Sequence, residues 1–202
     1  MTFFKLATGY WFCAAVKRSV SALSRKQTTM RSFDLWWRVN RQFHNGPDRS
    51  QALGRNQLMF VTKPRIFLAY IFENRFAVPS FNVSNLEMAR AVIEAAELED
   101  APVMVQTDFL NFSYGGMDEL SALIRTLAEK APVPVLMHQD HPGKDSNIFR
   151  SLRRGYYSVM YDGGHLPLAQ NIAGATRFAE MAHESGAILE SEIGLFGGSP
   201  GR

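Results

Sequence analysis

From Met59 onward the chain alternates between two kinds of apolar pattern. Short, nearly unbroken runs occur at Phe76–Val83 (FAVPSFNV), Ala101–Gln106 (APVMVQ), Val133–Asp140 (VPVLMHQD), Tyr156–Asp162 (YYSVMYD) and Ala187–Ile193 (AILESEI). Runs of that length without strict alternation predict five strands covered on both faces. Between them apolar residues recur at helical spacing. Helices are predicted over Lys63–Arg75 with Pro64 in the first turn, from Ser84 to Glu99, over Asp118–Lys130, over Asp145–Arg154 closed by Gly155, and over Leu168–Glu184 ending at Gly186. Ser84 and Glu87 have the spacing of a capping box. Strands alternating with helices in this order predict an α/β fold with a parallel sheet.

Residues 1–58 carry no such period, and the chain divides there into a leader, 1–58, and a folded domain, 59–202. The leader reads as a disordered or targeting segment, a basic arm, or upstream sequence translated from an early start, with Met59 as the natural start of the domain. Charge separates the same two regions. Residues 1–65 hold 12 Lys and Arg against Asp34 and Asp48, a balance of +10; residues 66–202 hold 10 against 17 Asp and Glu, a balance of −7. The net +3 therefore gives the folded part no electrostatic footprint for nucleic acid. No apolar run reaches the roughly 18 residues of a membrane span. The single cysteine, Cys13, excludes an internal disulfide and a cysteine-based zinc site, and a cytoplasmic setting is expected.

In a parallel α/β fold the chemistry gathers where strands end and loops lead into the next helix. All five predicted strands end in polar groups: Ser80-Phe81-Asn82, Gln106-Thr107-Asp108, His138-Gln139-Asp140-His141, Asp162-Gly163-Gly164-His165 and Glu190-Ser191-Glu192. Period 2 puts His138 and Asp140 on one side of their strand, with His141 at the exit, and puts Glu190 together with Glu192. Imidazoles and carboxylates converging on one mouth suit a divalent metal, zinc first, or metal-free acid/base chemistry. His183, inside a helix, reads as a surface or packing residue. The pairs Gly115-Gly116, Gly163-Gly164 and Gly197-Gly198 can offer backbone N–H groups to phosphate but specify nothing by themselves.

Four segments, FAVPSFNVSNLEMARAVIEAAE, PVLMHQDH, YYSVMYDGGHLPLAQNI and ESEIGLFGG, resemble the class II, zinc-dependent ketose-bisphosphate aldolases of the fructose- and tagatose-bisphosphate type. The resemblance runs from about Met59 to Gly198. It implies a (β/α)8 TIM barrel, of which about five strands lie in this chain. It also implies aldol cleavage and condensation of a ketose 1,6-bisphosphate, giving dihydroxyacetone phosphate and glyceraldehyde 3-phosphate. Zn2+, or another divalent metal, would serve as Lewis acid on the ketone carbonyl. By the same resemblance Asp140 is the catalytic acid/base at the C4 oxygen, His141 and Glu192 belong to the metal site, and Asn82 contacts substrate. The implied partner is a sugar phosphate, with neither nucleic acid nor membrane, and full-length relatives are expected to be homo-oligomers.

Some residues depart from the family pattern. Asp108 stands where a Ser or Thr is usual, Pro142 follows the DH pair, and no carboxylate follows Gly197-Gly198. A barrel of this kind takes about 250 residues, so the chain is expected to lack later strands and further metal histidines, to be inactive by itself and to be poorly soluble. A metal-dependent hydrolase on the same barrel, and a non-catalytic aldolase fragment, are the alternative readings.

Overall fold

The computed structural model describes residues 60–194 apart from 74 and 76. The leader, the Gly197-Gly198 loop and the start of the first predicted strand lie outside the described residues. The elements run α1 (Pro64–Glu73), β1 (Ser80–Asn82), α2 (Leu86–Leu98), β2 (Val103–Thr107), α3 (Phe109–Gly115), α4 (Met117–Ala128), β3 (Val135–Gln139), α5 (Asp145–Leu152), β4 (Ser158–Tyr161), α6 (Leu168–Glu184) and β5 (Ile188–Ser191). The five strands form one sheet in the order β1-β2-β3-β4-β5. Every pairing is parallel, with Asn82 beside Gln106, Gln106 beside His138 and Met160 beside Glu190. Sequential parallel neighbours joined by helices are the arrangement expected from the alternating pattern.

Side chains leave the two faces of the sheet in a period of 2. Val103, Val105, Val135, Met137, Val159 and Tyr161 enter the larger core, together with Ala89, Ile93, Leu120, Ile124 and Phe178 from the helices. Met104, Leu136 and Ile188 point to the opposite face, where α1 covers them with Phe67, Leu68 and Ile71. On that face each strand grades along its length. Leu136 gives way to His138 and then Asp140, and Ile188 to Glu190 and then Glu192. The apolar ends are stoppered by α1, so the polar ends are left to form a site at the opposite rim.

Local chemistry differs from expectation in two places. The helix α2 is capped by Asn85, whose side chain accepts from the Met88 N–H at 2.9 Å, and not by Ser84. Asparagine so placed is worth about 1 kcal/mol, and Ser84 instead accepts from Asn111 Nδ2 at 2.8 Å. The short helix α3 was not expected. Asp108 and Asn111 build its capping box: Asp108 Oδ1 accepts from the Asn111 N–H and Asn111 Oδ1 from the Asp108 N–H, each at 2.8 Å. Gly186 takes φ +76° just beyond α6, the left-handed stop that its position predicts.

Candidate functional site

The ends of all five strands build the site. The Asp140 N–H donates to the Thr107 carbonyl at 2.9 Å, which fixes the exit of β3 against β2. The Asp140 carboxylate then accepts from Gln106 Nε2 at 2.9 Å, and the same amide donates to Asn82 Oδ1 at 2.7 Å. Ser80 Oγ donates to Gln106 Oε1. Gln106 is thus the hub that ties Asn82 on β1 to Asp140 beyond β3. Asp108 does not join as a separate site group: its carboxylate caps α3, with Oδ2 3.5 Å from Asn82 Nδ2.

His141 lies next to Asp140, and its two ring nitrogens approach different carboxylates. Its Nδ1 is 3.0 Å from Asp162 Oδ2, while Nε2 stands 3.9 Å from Asp140 Oδ1. The hydrogen bond to Asp162 raises the imidazole to about 9, against the effect of burial and with help from the charges of Asp140, Asp162 and Glu192. The same bond lowers the Asp162 carboxyl. Burial, then the charge of Asp162, raises Glu192. Ligand atoms of His141, Asp162 and Glu192 lie within 4.8 Å of one another. Asp162 Oδ1 and Glu192 Oε1 are buried with no hydrogen-bond partner. Two carboxylates and an imidazole aimed inward, with orphaned oxygens, are a donor set that fits a divalent cation.

Of the residues expected from sequence, Asp140, His141 and Glu192 are brought to one mouth, and Asn82 is joined to them through Gln106. Asp162 and Gln106 were legible only as polar strand ends. Glu190 and Glu192 leave the same face but serve different neighbours. Glu190 lies beneath the mouth, its Oε2 3.3 Å from His138 Nε2, and His138 Nδ1 is 2.7 Å from Ser158 Oγ. His165 is exposed and, with Asp162, Lys144 and Arg150, lines a cavity of about 840 Å³ beside α3 and α5. His183 is partly buried on α6, as a packing residue would be.

Residues 63–201 match the family model described as fructose-bisphosphate aldolase class-II. The chain is 37% identical over 143 residues to the fructose-bisphosphate aldolase of Streptococcus pyogenes serotype M1, covering 69% of this chain and 48% of that protein. The corresponding enzyme of Streptococcus pneumoniae serotype 4 matches at the same identity and coverage, again 37% over 143 residues. Among solved structures, the YdjI aldolase from Escherichia coli K12 aligns with a TM-score of 0.63 at 27% identity, over 67% of this chain and 52% of that one. The fructose-bisphosphate aldolase from Campylobacter jejuni aligns at 0.66 and 20% identity, over 77% and 52%, a likeness that shows the fold alone. The chain spans about half the length of the curated relatives it matches. Its parallel five-stranded sheet is that portion of a (β/α)8 barrel. The chain belongs to the class II fructose-bisphosphate aldolase family, metal-dependent lyases of carbohydrate metabolism.

Proposed function

We propose that this chain carries the acid/base and part of the metal-binding machinery for reversible aldol cleavage of a ketose 1,6-bisphosphate to dihydroxyacetone phosphate and glyceraldehyde 3-phosphate. The observation that carries the reading is the convergence of Asp140 with the His141, Asp162 and Glu192 cluster at one strand-end mouth. Zn2+ is the proposed metal, held by His141 and Glu192, with Asp162 as the third group. A metal bound there supplies Lewis acidity at the substrate carbonyl. Asp140 exchanges a proton with the substrate's C4 oxygen. Gln106 holds its Oδ2, and Oδ1 stands 3.9 Å from His141 Nε2. Asn82 presents its amide beside Asp140 and orients the sugar. The cytoplasm is the proposed compartment, in keeping with the lone cysteine.

The 202-residue chain is proposed not to turn substrate over by itself. Catalytic zinc ordinarily has three protein ligands and an open position, and the cluster offers a single imidazole among the described residues. The test pairs zinc binding, by chelator competition, with an assay of fructose and tagatose bisphosphate cleavage by the zinc-loaded chain. Zinc affinity that falls at least tenfold in Glu192→Gln, with no turnover, is the expected outcome. Turnover would refute the inactivity, and zinc affinity indifferent to Glu192 would refute the site.

A further inference from the structure

The helix α6 buries three side chains, Asn171, Phe178 and Ala182. Two are apolar, as the inward stripe of an amphipathic helix requires. The third is an amide that is 4% exposed. A leucine of similar size would bury there without desolvating a polar group. Asn171 Nδ2 donates to the Glu192 carbonyl oxygen at 2.9 Å, whereas its Oδ1 is buried without a partner. The side chain therefore uses its donor half, and the recipient is the backbone that carries one of the metal-site carboxylates.

The loop between β4 and α6 is shaped around the same two residues. A Cβ on Gly163 would collide with Asn171 Oδ1 and with the Tyr161 ring. A Cβ on Gly164 would lie 2.8 Å from Glu192 Oε1 and would also strike the Gly194 carbonyl. The Gly164 N–H meanwhile helps hold Asp162 ionised. Paired glycines let the loop close over the exit of β5, and Asn171 supplies the hydrogen bond that keeps the exit there.

We propose that Asn171 is a positioning residue: its buried amide pins the exit of β5 and so holds the Glu192 carboxylate against His141 and Asp162. The inference rests on the metal-site reading of those three residues, but the pin itself can be read without metal. Hydrogen–deuterium exchange on the metal-free full chain comes first. In Asn171→Ala, exchange over residues 188–194 should accelerate about tenfold, with residues 103–107 and 135–139 unchanged. The near-isosteric Asn171→Asp, which keeps the volume and sets a carboxylate against a carbonyl, should loosen the same segment. Unchanged exchange over 188–194, or acceleration across the whole chain in both variants, would overturn the pin.

Zinc affinity then tests what the pin is for. Asn171→Ala should weaken Zn2+ binding about tenfold in the wild-type background, as loss of an outer-shell partner does. In a Glu192→Gln background it should change affinity less than twofold, because the two residues act through one group. An equal loss in both backgrounds would overturn the positioning role. A wild-type chain with no affinity for zinc would refute the metal site and leave the exchange result to decide the pin.

Discussion

His138 Nε2 lies 3.3 Å from Glu190 Oε2, and each side chain is 1% exposed. The contact joins β3 to β5 on the inward face, past Ser158 of β4, one layer beneath the residues of the mouth. Burial shapes its protonation: it lowers the His138 imidazole to about 4 and pushes the Glu190 carboxyl well up from 4.5. Burial thus works against the charged form of each partner, in opposite directions on the pH scale.

The buried pair has a stability signature. Above pH 4.5 its members oppose each other, since burial favours a Glu190 proton that the unfolded chain loses and disfavours a His138 proton that the unfolded chain holds. The Glu190 effect makes stability fall as pH rises from 4.5 through the raised folded value, whereas the His138 effect is confined to the range between about 4 and 6.5. Glu190→Gln keeps a neutral donor and should make that fall shallower. Urea midpoints measured from about pH 6.5 upward check this, and an unaltered slope would count against a protonated Glu190.

Asp162→Asn should return the His141 imidazole from about 9 toward its ordinary 6.5, because the hydrogen bond to Asp162 is the largest cause of the rise. The folded value lies above the unfolded one. His141 therefore contributes stability that is complete below pH 6.5 and is lost as pH rises through about 9. Proton NMR of the His141 ring in the metal-free chain reads the shift directly. A midpoint that stays near 9 in the variant would exclude Asp162 as its cause.

Gln106→Leu removes one amide that serves two acceptors, Asn82 Oδ1 and Asp140 Oδ2. Both acceptors can still reach water at the mouth, so the expected loss is about 0.5–1.5 kcal/mol for each hydrogen bond. Gln106→Glu should cost more, by placing a third carboxylate near Asp140 and Asp108. Chemical denaturation of the two variants gives the order, and a Glu variant as stable as wild type would mean that the amide donor is idle.

Among the described residues β1 pairs only with β2, and β5 only with β4. Unpaired parallel edges template further pairing. The isolated chain should self-associate as its concentration rises, and sedimentation velocity across a hundredfold dilution series reads this. A single monomeric boundary throughout would show that both edges are covered.

The element order, the parallel sheet and the mouth at the strand ends were legible from the chain alone, because burial periodicity and helix stops are local. The DH pair after β3 and the glutamates at the end of β5 and just beyond it were legible as polar positions for the same reason. The helix α3 was not, since seven residues carry too little apolar period to announce themselves. Its signal was Asp108 with Asn111 three positions on, of which Asp108 reads as strand-end polarity instead.

What the sequence determined by itself is which side chains leave the inward face and in what order along each strand, a consequence of the two-residue repeat of a strand. What only the tertiary structure decided is who meets whom there. Sheet twist and strand stagger carry Asp162 from β4 to His141, set Gln106 between Asn82 and Asp140, and turn Glu190 down to His138 while Glu192 stays at the rim. Those pairings follow from the relative heights of separate strands, which no local pattern encodes.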